Sequence, residues 1–532
     1  MSADNKLTAI QKRAQNPDAL TPFTLHHLLP KLPLVFPCDP VLPPSPKPHY
    51  RSTYRYLGCD DLNQATIETF SPFEIAARLF DYHPLEPLLA AHIYQPSAKG
   101  QIPFHPVSMF LLSLYRRERN LSRHEVLRLL RHPEDGQTLR RCTGFADDYP
   151  SESGLRYFES LLTPQLQQEI NALQLDVLFQ AGLLPLIPDG DADTKVTLSF
   201  DGMLHEARSH MRCSSVQASC YEPTPRPCPA QEKGKRGCHC TEAACAALCR
   251  HTTPQDPQAR FVVYSGDNKR ARTTPNAPLQ TQARRSRVSR MVYGYYSFAG
   301  QLLVDDLATY WIFPTAFGAA TCGDPALFPD NFAFLQERFP WLEIAEVLAD
   351  AGAAEQSCLD AIWDAGALRV VDIHAHKSDD DPEIRLARGY DERGHPLCPF
   401  GYLLHANGYD YQRRRAKWRC LKRCQHDPQL PAPPCDYRKT QFKHGYTTTV
   451  GRTHPDGSVR LAREIPYGSS VWKERYSRRN SAESRNSVLQ RLGLKRMPVH
   501  GFAAGHVTVL QADFVANQCT LVRLIREATA TG

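Results

Sequence analysis

The chain has 532 residues, 42% apolar and 22% charged, with a net charge of +7. That length allows about two to four domains with a real core, and no run approaches the roughly 18 apolar residues of a membrane-spanning helix. The opening MSADNKLTAIQKR lacks an apolar segment and a small-residue cleavage site, so a cytoplasmic protein is expected, its seventeen cysteines held as thiols or metal ligands.

Residues 1–68 are expected to form an extended arm, because ten prolines between Pro17 and Pro48 exclude a continuous helix or central strand. Such an arm is either a tail or a strap across a partner subunit or DNA. Ordered helix starts at Ser71, where Ser71, Pro72 and Glu74 supply an N-cap, a first-turn proline and the reciprocal acid of a capping box. VSMFLLSLYRRER gives a second helix, a third opens with the capping box of Ser122 and Glu125, and YPSESGLRYFESLL gives a fourth. Residues 69–165 therefore read as a helical domain. Its Arg116, Arg117, Arg119, Arg123, Arg128 and Arg131 suit DNA or simply the solvated face of a bundle.

LLPLIPDGDADT, with Asp189, Asp191 and Asp193, reads as a turn, since it lacks the spacing of a calcium loop. KVTLSF then reads as a strand that places Asp201 at its carboxyl end, where open α/β sheets put their ligands. From Cys213 to Cys249 lie seven cysteines, and Cys238, Cys240, Cys245 and Cys249 are dense enough to hold zinc. Residues 213–259 are taken as a cysteine-rich insertion, after which FVVYSGDNK resumes the β pattern. VYGYYSFAGQLLVDDLATYWIFP alternates like an antiparallel pair, with Tyr293, Tyr295 and Tyr296 packing or stacking on bases and Asp305 and Asp306 inside the strand pattern. EIAEVLA is a strand ending at Asp350, EQSCLDAIWDAG a helix stopped by glycine, and LRVVDIHAH a strand with Asp372, His374 and His376 on one face.

Residues 398–452 read as a basic insertion in which Cys398, Cys420, Cys424 and Cys435, around RRRAKWR, form a second zinc set. Eleven Lys or Arg stand against Asp427 and Asp436 over 411–452, and eight against Asp267 over 260–290; both segments suit a polyanion. The final segment, 453–532, holds YSRRNSAESRNSVLQ and an apolar packing helix. Drawn on a helix, Tyr476, Arg479, Glu483 and Gln490 fall within an arc of about 60°. A phenol, a guanidinium, a carboxylate and an amide on one face suit a phosphodiester beside a metal ion better than a core. Asp201 and Asp350 are the acids that would complete such a site.

Two strand-end aspartates followed far downstream by Tyr476, Arg479 and Glu483 resemble the bacterial insertion-sequence transposases with a DDE, RNase H-like catalytic domain. The likeness extends through FDGMLHEA, YGYYSFAGQLLVDD and VLADAGAAEQSCLDAIWDAGA, and departs at Gln490, where the family usually has lysine. The resemblance implies an α/β fold: an RNase H-like mixed sheet flanked by helices over 190–212 and 260–400, an N-terminal all-helical DNA-binding domain, and cysteine-rich, zinc-binding insertions. It also implies Mg2+ (or Mn2+) held by Asp201, Asp350 and Glu483, with DNA contacts from Tyr476, Arg479 and Gln490. The implied partner is double-stranded DNA, both transposon ends and target, bound by a homo-oligomer. The implied activity is metal-dependent strand cleavage and strand transfer at the ends of an insertion sequence. Two alternatives remain open: a non-catalytic DNA-binding protein derived from a transposase, and a stand-alone metal-dependent nuclease.

Overall fold

The computed structural model describes residues 32–38, 50–93, 102–184, 196–208, 256, 258–267, 287–304, 309–374, 376–421, 435–438 and 445–530. Asp189, Asp191, Asp193, Asp305, Asp306, Cys238, Cys240, Cys245, Cys249 and Cys424 lie outside the described residues. No helix among the described residues is long and apolar enough to cross a membrane. The chain divides into two compact units, one of Met1–Pro185, Asp305–Trp311 and Gln511–Gly532, the other of Leu186–Val304 and Ile312–Leu510.

The first unit is built of helices. Helix α1 (Pro72–Leu79) starts at the expected capping box, with Glu74 N donating to Ser71 Oγ at 3.3 Å and Ser71 N to Glu74 Oε2 at 3.1 Å. Helix α2 (Pro106–Glu118) is buried along most of its length, as its apolar sequence requires. Helix α3 (Arg123–Arg131) opens with the reciprocal bonds of Ser122 and Glu125, and α4 (Glu152–Leu161) with Ser151. A longer helix, α5 (Pro164–Gln180), follows behind Thr163 and Pro164. Part of the proline-rich arm packs here: Leu34 and Phe36 are buried, Leu34–Val35 pairs with Phe80–Asp81, and Phe36 meets Tyr82 and Phe514. The C-terminal helix Phe502–Ala530 enters this unit from Gln511, where Gln511 Nε2 donates to Ser113 Oγ at 3.2 Å.

The expected solvated or DNA-facing arginines are in part structural. Arg116 and Arg117 are buried, and Arg116 and Arg123 both hold the Glu159 carboxylate, at 2.7 and 2.6 Å. Arg131 donates to Pro150 O at 3.1 Å. The physical reason is Glu159, whose largely buried carboxylate takes Arg116, Arg123 and also the Ser113 hydroxyl at 3.2 Å.

The second unit is α/β and carries a mixed sheet. Its strands are β1 (Val196–Glu206), β2 (Arg260–Asp267), β3 (Arg287–Val304), β4 (Ala316–Ala319), β5 (Ile344–Ala349) and β6 (Leu368–Val371). The order is β2-β3-β1-β5-β6, with β4 also on β3. β2, β3 and β1 run antiparallel to their neighbours, whereas β1, β5 and β6 run parallel. Helix α6 (Gly323–Arg338) covers the sheet through Phe328, Phe332 and Leu335, and Phe328 meets Phe200 of β1 at 4.8 Å between ring centres. Burying these rings is what fixes the start of α6 against the sheet. Helix α7 (Gln356–Asp364) follows β5 and stops at Gly366, whose φ of 81° suits glycine.

Breaking a buried ion pair from one side leaves uncompensated charge, which costs about 3–5 kcal/mol. Glu159→Ala is expected to lose that much in urea unfolding, against about 1 kcal/mol for the cap variant Ser122→Ala. Equal small losses would show that Arg116 and Arg123 do not depend on the acid.

Candidate active site

The parallel pairing of β1 with β5 aligns Ser199 with Leu348, and the pairing of β5 with β6 aligns Ala349 with Val371. Two residues beyond the first pair lie Asp201 and Asp350; one beyond the second lie Asp350 and Asp372. Three aspartates therefore stand level, Asp350 and Asp372 just past the carboxyl ends of β5 and β6 and Asp201 just past the point where the parallel pairing of β1 stops; neighbouring strands run about 4.8 Å apart. All three follow short apolar runs, KVTLSF, EIAEVLA and LRVV.

Two expectations about these strands are corrected. β1 does not end at Asp201 but continues to Glu206, because the long β3 still pairs with it and Lys495–Met497 takes over on the side β5 leaves. Only its parallel pairing stops short of Asp201. LRVVDIHAH stops being a strand at Val371, so Asp372, His374 and His376 do not share a strand face; His374 and His376 are exposed.

The segment from Tyr476 to Gln490 is also not one helix. Helix α8 (Ser470–Ser477) gives way to a 3-10 turn over Arg478–Ser481 before α9 (Ala482–Arg491) resumes. Serine and asparagine compete locally for backbone groups, as Ser477 Oγ does by donating to Glu474 O at 2.7 Å. The turn is also pinned from outside. Glu346 of β5, buried, accepts from Arg475 at 2.6 Å, Arg478 at 2.7 Å and Thr197 at 2.9 Å. Gln490 falls seven residues past Glu483, about 10 Å further along the helix axis, and is exposed. It is not part of the cluster.

Tyr476, Arg479 and Glu483 do come to the aspartates. The Arg479 guanidinium lies 3.8 Å from Asp201 Oδ1 and 3.3 Å from Glu483 Oε1, bridging the two acids. Asn486 Nδ2 donates to Asp201 Oδ2 at 2.8 Å and to Gly202 O at 3.2 Å. Asp350 caps the turn Ala351–Ala353, accepting from Gly352 N at 2.8 Å. Tyr476 stacks on Trp472 at 4.5 Å and reaches Asp372 Oδ2 at 3.4 Å, while Tyr467 donates to Asp372 Oδ1 at 2.5 Å. Glu483 itself is exposed.

Sequence reasoning missed four members: Asp324, Tyr296, Asn486 and the role of Asp372. Asp324 lies in the first turn of α6, accepts from the Tyr296 hydroxyl at 2.6 Å and, like Asp350, lies against Gly352. Asp372 repeats the apolar-run-then-aspartate pattern of Asp201 and Asp350, a usable signal. Nothing local marks Asp324 or Asn486.

Burial pushes the Asp201 carboxyl up to about 6; Arg479 opposes this, and the charges of Asp350 and Glu483 add to it. Burial likewise raises Asp324 well above the usual carboxylate range, against the Tyr296 hydrogen bond and with help from Asp350 and Asp201. Burial raises the Tyr296 phenol too, so it stays a donor. Behind the site His205 is buried between Leu494 O and Ser297 Oγ, each at 2.7 Å, and burial lowers its imidazole to about 4.

Among the described residues no three His, Cys, Asp or Glu are arranged to hold a metal ion as they stand. The donor chemistry nevertheless suits a hard divalent cation: half-buried carboxylates of Asp201 and Asp350 on neighbouring strands, with the exposed Glu483 tied to Asp201 through the Arg479 guanidinium. Compared with family models, with characterised proteins and with solved structures, the chain gives no match.

A carboxyl whose folded value is raised adds stability below its unfolded value and loses that contribution as pH rises through the folded one, here about 6 for Asp201. In chelator-treated protein Asp201→Asn is therefore expected to melt above wild type at about pH 8 and level with it at about pH 4. A difference of the same size at both pH values would mean that the charge is not what burial penalises.

Proposed function

We propose that the second unit is a DDE, RNase H-like polynucleotidyl transferase, and that the protein is a transposase cutting and joining DNA at the ends of an insertion sequence. The observation that carries this reading is the alignment of Asp201 and Asp350 on neighbouring parallel strands, with Glu483 joined to Asp201 through Arg479. A mixed sheet with its first strand at the centre is consistent with the RNase H-like assignment.

Mg2+ or Mn2+ bound by Asp201, Asp350 and Glu483 would neutralise charge on the attacking and leaving oxygens of a phosphodiester. Asn486 orients Asp201 from behind through its amide. Glu346 holds Arg475 and Arg478, and with them the turn that carries Arg479. Arg479 offers a planar guanidinium for a phosphate oxygen. Tyr476, aligned by Trp472 and Asp372, presents a phenol edge beside it. Gln490, expected as a DNA contact, has no place in this arrangement.

Double-stranded DNA is the substrate the reading requires. In the full chain, Asp350→Asn and Glu483→Ala are expected to abolish nicking of supercoiled plasmid in Mg2+ or Mn2+ while leaving binding to a fluorescent duplex intact. Arg479→Ala is expected instead to weaken duplex binding and flatten its salt dependence by about one phosphate contact. Duplex binding by wild type without any nicking would favour the non-catalytic alternative, and nicking that survives both acid substitutions would remove the triad.

Zinc at the second cysteine set belongs to the same proposal. Cys398 is buried with Leu404, Ala416, Trp418, Val450 and Ala462, and Cys420 packs against that cluster, although Cys398, Cys420 and Cys435 do not stand as a ligand set among the described residues. Purified protein is expected to carry zinc that Cys420→Ser releases; protein without zinc, with Cys420 and Cys435 readily alkylated, would remove the site.

A further inference from the structure

Between β6 and α8 the second unit carries a separate three-stranded sheet. Its strands are β7 (His405–Asp410), β8 (Arg415–Arg419) and β9 (Thr447–Val450), all antiparallel, with β8 in the middle. Alternation along each strand gives this sheet two unlike faces. Ala416 and Trp418 of β8 are buried with Val450 of β9 on the inner one. Arg415, Lys417 and Arg419 alternate with them and so take the outer face, where Arg415 and Lys417 are exposed and Arg419 is half-buried. The register sets His405 and Thr447 beside Arg419, and Thr449 beside Lys417, all three exposed.

The sheet is firmly seated. The Arg414 guanidinium lies 3.9 Å from the ring centre of Trp363 on α7, and Arg452, just past β9, pairs with Asp360 and Asp364 of the same helix at 2.8 and 3.0 Å. Arg369 of β6 donates to Gly451 O and Arg452 O. The charge on the outer face is not balanced in the same way. Of the residues on these three strands only Asp410 is acidic, and it takes Lys417 at 3.0 Å. Arg415 and Arg419 make no ion pair among the described residues, and Arg419 Nε is buried without a partner. Alternate side chains on a strand stand about 7 Å apart, so the three cations cover roughly 14 Å. Over that length one strand of a duplex presents about four phosphates. The hydroxyls of Thr447 and Thr449 add neutral donors of the kind that also bind phosphate oxygens. We propose that this face docks the sugar-phosphate backbone of duplex DNA, at a surface distinct from the acidic centre and without reading sequence. The inference rests on the reading of duplex DNA as the substrate.

The test is binding of the full chain to two fluorescent duplexes of unrelated sequence over a range of salt, with plasmid nicking in Mn2+ alongside. The double variant Arg415→Gln, Arg419→Gln is expected to lower the slope of log affinity against log salt by about two, equally for both duplexes. Asp410→Asn is expected to strengthen binding, because it frees Lys417 while its amide oxygen still accepts from Arg413 N. An unchanged slope in the double variant, with wild type bound, overturns the docking face and leaves the transferase reading standing. Loss confined to one duplex overturns it too, by making the face a reader of bases. Unchanged or weaker binding in Asp410→Asn likewise overturns it, since charge would then not be what the face supplies. A lowered slope in protein that never nicks upholds the docking face and removes the transferase reading. Wild type that binds neither duplex overturns both.

Discussion

Carboxylates brought level at the ends of parallel strands repel one another, and burial deepens the repulsion because water no longer screens it. The register of β1, β5 and β6 imposes this on Asp201, Asp350 and Asp372. Each acid is answered differently. Asp201 has Arg479 and Asn486; Asp350 has the Gly352 amide; Asp372 has two tyrosine hydroxyls. Burial raises the Asp201 carboxyl, and Arg479 offsets this only in part. A site left short of positive charge, with its acids pinned by neutral donors, is suited to take up a cation.

The elements that bring those answers are themselves fixed by buried charge. Glu346 lies on β5, and the arginines that reach it are Arg475 in the last turn of α8 and Arg478, the first residue of the turn that carries Arg479. On β6, Arg369 pairs with Glu464 at 2.7 Å with both side chains almost wholly buried, and also donates to Arg452 O and Gly451 O. In the first unit Glu159 does the same for Arg116 and Arg123. Such pairs contribute little net stability against an apolar substitute, but removing one partner is severe. They set where segments lie more than how strongly the fold holds.

Apolar packing sets the remaining position. Phe328 and Phe332 on α6 meet Phe200 on β1, so Asp324 is placed by aromatic burial several residues away. The same logic holds at Tyr476, which Trp472 covers at 4.5 Å. A residue that looks like a ligand contact on a helical wheel is here half-buried and held by its neighbours.

The sequence by itself determined the local devices: capping boxes at Ser71 and Ser122, the strand before Asp350, the helix ended at Gly366, and the α/β class. These depend on contacts within a few residues, which composition and spacing record. It also marked Asp201 and Asp350, because acids after apolar runs carry a visible pattern, and put Arg479 and Glu483 on one helical face. Only the tertiary structure decided that β1 runs on past Asp201, since the segment Lys495–Met497 that bridges to its end is almost three hundred residues away. It alone broke the Tyr476–Gln490 helix, where Glu346 holds Arg475 and Arg478 and a 3-10 turn intervenes before α9. It alone brought Tyr296, Asp324 and Asn486 to the acids, for their positions follow from sheet register and helix packing, which no local run of residues encodes.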